Sequence, residues 1–192
     1  MKSKIDSIYS KHDCTRVCQG DILRDFEYVK WASTEDKKIR INIITLPYIV
    51  VLTQDCDLKW DFEHHAATGT NHDKFLQSIL VCPAYSAEAF REGSHLKTMD
   101  LVMEKINSSQ WNILIKNQNS RYHFLQNHRE LQIPNLVIDF KHYYTIPRDI
   151  LYTEAKNHYL GTINELFRES LSQRFAYYLS RIGLPVIKDK EE

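Results

Sequence analysis

The sequence predicts an α+β protein: a small β-barrel with short inserted helices and a long C-terminal helix. Three observations carry that reading. Pro47 introduces Tyr48-Ile49-Val50-Val51-Leu52-Thr53, a β-branched run that is apolar on both faces and therefore reads as a central strand. Gly20-Asp21 is a turn signal ahead of Ile22-Leu23, the first strand. Farther on, Ile163, Leu166, Phe167, Leu171, Phe175, Tyr178, Leu179 and Ile182 recur on one helical face.

The elements follow in order. Residues 1–13 are polar and read as a short helix or an arm, 1–17 as the N-terminal arm of the chain, 18–150 as the barrel with insertions, and 151–187 as a helical extension that packs on the barrel or a partner. Thr34–Lys38 is charged and reads as a loop, and Ile39–Leu46 as a strand. Residues 59–74 form an excursion broken by Gly69 and Asn71. Phe75–Cys82 returns as a buried strand that Pro83 ends. Ser86 caps a short helix through Phe90, and Gly93 stops it. Thr98–Asn107 reads as helical, while Trp111–Ile115 and Arg121–Leu125 flank a polar link and read as a hairpin. Leu136–Phe140 and Tyr143–Ile146 are further strands, the second stopped by Pro147. Thr162-Ile163-Asn164-Glu165 has the form of a capping box for the final helix, and Gly183 and Pro185 end it.

Composition narrows the class. Apolar residues at 43% and charged residues at 26% are enough for a packed core, and 192 residues fit one domain. Lys+Arg and Asp+Glu balance at 25 each, so the whole chain gives no electrostatic sign of nucleic acid or anionic membrane. A mild positive bias exists locally, where Lys116, Arg121, Arg129, Lys141 and Arg148 face Glu130 and Asp139. The opening MKSKIDSIYSKHD lacks a signal-peptide apolar stretch, and no run reaches the roughly 18 apolar residues of a membrane helix. A cytoplasmic protein with reduced thiols at Cys14, Cys18, Cys56 and Cys82 is the expectation, with no membrane partner.

Three segments resemble the PemK/MazF toxin family. Gly20-Asp21-Ile22-Leu23 is similar to its opening strand, and Pro47–Thr53 to its Pro-x-Val-Val-Leu-Ser strand. Ile79-Leu80-Val81-Cys82-Pro83-Ala84-Tyr85-Ser86 is similar to its Val-x-Pro-x-Thr strand and loop. The resemblance covers about residues 18–150 and implies an SH3-like barrel and ribosome-independent RNA cleavage, or descent from it. Two positions depart from the pattern. The family's arginine before the proline, which stabilises charge at the cleaved phosphate, is Leu46 here, and its catalytic threonine falls on Tyr85, with Ser86 beside it. The resemblance therefore implies the fold more than the catalytic mechanism.

Four groups of residues can carry chemistry. In Thr53-Gln54-Asp55-Cys56-Asp57, extended geometry puts Asp55 and Asp57 on one face and Cys56 opposite. Such carboxylates hold a cation, act as a base, contact a ligand or nucleic acid together with Gln54, or simply bond turn amides. Cys56 as a nucleophile needs a base, for which His64 and His65 are candidates. Zinc could draw on His12, Cys14 and Cys18, or on Cys56, His64, His65 and Cys82, but neither set has paired Cys-x-x-Cys spacing. Arg121 and His123, two apart on a strand, form with Tyr85 and Ser86 a candidate set for metal-independent phosphodiester cleavage. Asp139, in an apolar strand, needs Arg121 or Arg148 as a partner.

No P-loop, dinucleotide-binding glycine pattern or H-E-x-x-H is present, and no cofactor is expected. The first functional expectation is a protein- or nucleic-acid-interaction module of a toxin or antiphage system, docking a protein or a second copy through the C-terminal helix. The alternatives are an endoribonuclease acting on single-stranded RNA, and a metal or thiol enzyme centred on Asp55, Cys56 and Asp57.

Overall fold

The computed structural model describes residues 7–65 and 73–181. Its centre is one antiparallel sheet. Gly20, at φ 86°, makes the turn into β2 (Asp21–Glu35), and β2 runs by a tight turn at Asp36-Lys37 into β3 (Lys38–Val51). Both turn residues have positive φ, the twist a two-residue hairpin needs. The predicted loop Thr34–Lys38 therefore shrinks to two residues.

β3 is a single strand that passes through Pro47. Pro47, which has no N–H, faces β2, and the β2–β3 ladder skips its partner Asp25, which sits at φ 49°, between Arg24↔Tyr48 and Phe26↔Leu46; the ladder to β4 (Ser78–Ser86) covers Tyr48–Val51. Pro83 does not end its strand either. β7 (Tyr144–Pro147) pairs with β4 at Ser78–Val81, and β6 (Leu136–Asp139) pairs at Ala84–Ser86. Pro83 falls in the gap between them.

The remaining strands are β1 (Tyr9–Ser10), β5 (Tyr122–Leu125) and β8 (Tyr159–Ile163). The strand order is β1-β8-β2-β3-β4-β6-β5, with β7 beside β4. The sheet is a curled half-barrel whose end strands β1 and β5 do not pair. The expected α+β class holds, but the described residues do not close a barrel. β8 belongs to the sheet, so the segment after residue 150 supplies a strand as well as helices.

Side-chain alternation builds two cores. Leu23, Ile49, Val81, Tyr85 and Val137 face one way and meet Leu58, Phe90, Leu114 and Leu151. Those four come from α1 (Asp55–His65), α2 (Ala87–Glu92), α3 (Ser108–Ile115) and α4 (Arg148–His158). Ile22, Val50, Ala84, Leu136 and Ile138 face the other way and meet Leu171 and Phe175 of α5 (Glu165–Leu179).

Several local expectations change. Ser86 and Gly93 do bracket α2: the Ser86 hydroxyl accepts the Ala89 N–H, and Gly93 ends the helix at φ 77°. Thr98–Asn107 is not a helix beyond a short turn at Lys97–Met99; Ile106 instead donates its N–H to the Arg91 carbonyl. Trp111–Ile115 is not a strand, because Asn107 and Gln110 cap α3 reciprocally. The final helix exists, but Thr162 does not cap it, since its hydroxyl is taken by Asp21 at 2.6 Å. Gly69, Asn71, Ile182, Gly183 and Pro185 lie outside the described residues. No helix of the described residues is long and apolar enough to cross a membrane.

Candidate functional site

The four residues expected to cut RNA are not assembled. Ladder partners share a face, so Tyr85↔Val137 and Val137↔Phe124 put Tyr85 on the first core face. Ala84↔Ile138 and Ile138↔His123 put His123 on the other. Ser86 is occupied as the α2 cap. Arg121 lies just before β5 and grips Asp139 with two bonds of 2.8 and 2.6 Å. His123 is buried and accepts a bond from Arg174 Nε at 3.1 Å.

Arg121 and Tyr85 do share a neighbourhood with two histidines that the sequence did not single out as site residues. Asp139 is fully buried, also accepts the Lys141 N–H at 3.0 Å, and has His142 Nδ1 3.3 Å from its Oδ2, not aligned for a hydrogen bond. The His95 ring lies 4.7 Å from that of Tyr85 and 4.4 Å from that of Phe90. The Tyr85 hydroxyl and both His95 nitrogens find no protein partner among the described residues. Burial pushes the Tyr85 hydroxyl up and pulls His95 down to about 4. This is a buried, neutral, polar nest, its one guanidinium already matched by Asp139. Only the spacing Asp139-x-x-His142 hints at it in the sequence.

Burial, and then the nearby Arg174 charge, lower His123 to about 3. Its unfolded value is near 6.5, so between those limits the unfolded chain binds more protons and stability falls with acid. The contribution is complete above about pH 6.5 and disappears as pH drops toward 3. His95 adds in the same direction. The expected result is a melting temperature that falls steadily below pH 6.5, with a shallower slope in His123→Asn. Equal slopes in wild type and variant would discard this account of His123.

The Gln54–Asp57 segment is not extended. Asp55 opens α1, so the two aspartates do not share a strand face. Asp55 receives Arg16 at 3.0 and 2.9 Å and the Gln19 N–H at 3.2 Å, with Arg168 3.9 Å away. Burial raises its pKa, but these partners outweigh that and hold the carboxyl below its ordinary value. Gln19 continues the network to Leu52 O at 3.2 Å and Ser172 of α5 at 2.8 Å. Asp55 thus anchors the N-terminal segment and α5 to the end of β3.

Cys56 is exposed, its thiol 3.7 Å from Gln54 Oε1 and from Asp57 Oδ1. Neither candidate base serves it: His64 bonds Trp60 O at 2.9 Å, and His65 lies 3.5 Å from Asp61. Cys82 is buried with its thiol on Asp139 O at 3.1 Å, so the second zinc set does not form. Of the first set, His12 and Cys18 come together, with Asp21 as third member.

One exposed apolar feature is the outer half of the β2–β3 hairpin. β2 pairs with β8 only at Asp21–Leu23, and β3 with β4 only at Tyr48–Val51. Beyond those points the two strands pair only with each other among the described residues, forming an arm. Ile43 opposes Val29, Ile41 opposes Ala32 and Ile39 opposes Thr34, so one face carries an apolar stripe. Ile39 is 73% exposed, Ile41 56%, Ile43 53% and Val29 51%. The pattern of alternating apolar residues was visible in the sequence at Ile39–Leu46, but it reads equally well as core.

No family model, curated protein or solved structure matches the chain.

Proposed function

We propose that the protein is an interaction module that docks through the β2–β3 arm, with a second copy of the chain as its occupant. The observation that carries this reading is the arm's stripe of Val29, Ile39, Ile41 and Ile43, each more than half exposed on a ribbon whose two edges are open among the described residues. Long apolar edges of this kind pair with another chain unless something covers them. The arm's charges nearly cancel, with Lys30, Lys37, Lys38 and Arg40 against Glu27, Glu35 and Asp36. The whole chain is also formally neutral, so two copies do not repel. The same balance disfavours RNA as the occupant.

The arm replaces the C-terminal helix as the first docking element, because Leu171 and Phe175 of α5 are already buried on the sheet. The resemblance of Gly20–Leu23, Pro47–Thr53 and Ile79–Ser86 to motifs of the PemK/MazF toxin family supports a setting in a toxin or antiphage system. The endoribonuclease reading loses support from the separation of Tyr85 and His123, and the thiol reading from the lack of a base at Cys56.

Sedimentation equilibrium tests the proposal. Wild type is expected to be dimeric, and the Ile39→Lys/Ile41→Lys variant monomeric with an unchanged far-ultraviolet spectrum. A wild type that stays monomeric as concentration rises, or a dimer that survives both substitutions, would end it.

A further inference from the structure

We infer that His12, Cys18 and Asp21 form a binding site for zinc, at the junction of the N-terminal segment with β2. The donor atoms of the three side chains all lie within 4.8 Å of one another. A tetrahedral zinc about 2.0–2.3 Å from each ligand sets its donors roughly 3–4 Å apart, so small side-chain rotations complete the site. Imidazole nitrogen, thiolate sulfur and carboxylate oxygen are the ligand types zinc takes, and this mixture does not suit magnesium or calcium.

The charge closes as well. A dication with one thiolate, one carboxylate and a neutral imidazole is neutral overall. That matters here because the Asp21 side chain is only 3% exposed, and net charge is costly to bury.

The carboxylate is held by groups that are not themselves ligands. Thr162 Oγ1 donates to Asp21 Oδ1 at 2.6 Å, and the Cys18 N–H donates to Oδ2 at 2.7 Å. Thr162 bonds in turn to the Tyr159 hydroxyl at 2.7 Å, which accepts the His12 N–H at 3.2 Å. Such outer partners fix ligand orientation in metal sites. They also bring together residues from the N-terminal segment, β2 and β8.

At present His12 Nε2 and Asp21 Oδ1 are bonded at 2.9 Å. The Cys14 N–H donates to Nδ1 at 3.0 Å, which places the ring proton on Nε2. Zinc takes the place of that proton, which moves to Nδ1, and Cys18 releases its thiol proton to solvent. The Cys14 amide must then turn away, and Cys14 sits at φ 57°, a left-handed conformation that a non-glycine residue gains by leaving. Three protein ligands leave the fourth position to water.

Titration of the full chain with Co2+ as a spectroscopic stand-in, and with Zn2+ against a chromogenic chelator, tests the site. The expected result is stoichiometric binding with a thiolate-to-cobalt charge-transfer band. The band disappears in Cys18→Ser, persists in Cys56→Ser, and zinc affinity falls about ten-fold or more in Asp21→Asn. A wild type without the band, or a band that survives Cys18→Ser, overturns the inference. The wild-type measurement stands even where a variant does not fold.

Discussion

Asp139→Ala is expected to lower the unfolding free energy by about 3–5 kcal/mol, the cost of removing one partner from a buried ion pair. Asp139 is wholly enclosed, and its carboxylate serves Arg121 twice and the Lys141 N–H once. Truncation strands the guanidinium and leaves that amide without its acceptor. It also empties space near Tyr85 and His95, whose hydroxyl and ring nitrogens find no hydrogen-bond partner among the described residues. Arg121 is 29% exposed and can reach water in part, so the lower end of the range is the better estimate. Denaturant unfolding followed by circular dichroism measures the loss. The double variant Arg121→Met/Asp139→Leu is expected to recover much of it, because an apolar pair leaves no orphaned charge. A single-variant loss under about 1 kcal/mol would mean that the pair is not closed in solution.

Arg174→Ala should be the next most damaging change, and its effect is local to α5. The Arg174 fork donates to the carbonyls of Asn117, Asn119 and Tyr122, and its Nε donates to His123. One side chain therefore ties the helix to the whole turn that leads into β5. Bonds to charged groups contribute about 1.5–3 kcal/mol each, and a half-buried fork of this kind supports a net loss of about 2–4 kcal/mol. Lysine should not restore it, since a single ammonium cannot reproduce a planar fork with separated donors. Hydrogen exchange provides the decisive readout. Amides of Glu165–Leu179 lose protection in the variant while those of Tyr48–Val51 keep theirs; uniform loss would show that α5 is not a separable unit.

The sequence revealed those features that are set within a few residues. Gly20, Ser86 and Gly93 act on their own neighbours, and the first strand and α2 start or stop where those residues require. Trp111–Ile115 misled because its apolar and β-branched residues look like a strand, while the capping pair Asn107 and Gln110 decides for helix. Pro47 and Pro83 misled for a different reason. Whether a proline ends a strand depends on which neighbour stands opposite: for Pro47 it is β2, whose ladder skips Asp25, and for Pro83 it is β6 and β7, far along the chain. The site suffered most from this. Tyr85 and His123 are separated by sheet register, and Thr162 left its expected cap for Asp21. His12, Cys18 and Asp21 were only partly legible, because the third member comes from a strand and its support from β8.

The place of β8 between β1 and β2 has a consequence for how the protein is made. Asp21–Leu23 leave the ribosome well before their partners Tyr159–Thr162, which lie more than 130 residues farther along the chain. Until then one edge of β2 stands open beside the unpaired arm, and α5 has not arrived to cover the second core. Folding of the full sheet is thus delayed until β8 has been made, and the nascent chain spends that interval with bare strand edges. A chaperone that shields those edges during synthesis would act on the β2–β3 ribbon itself.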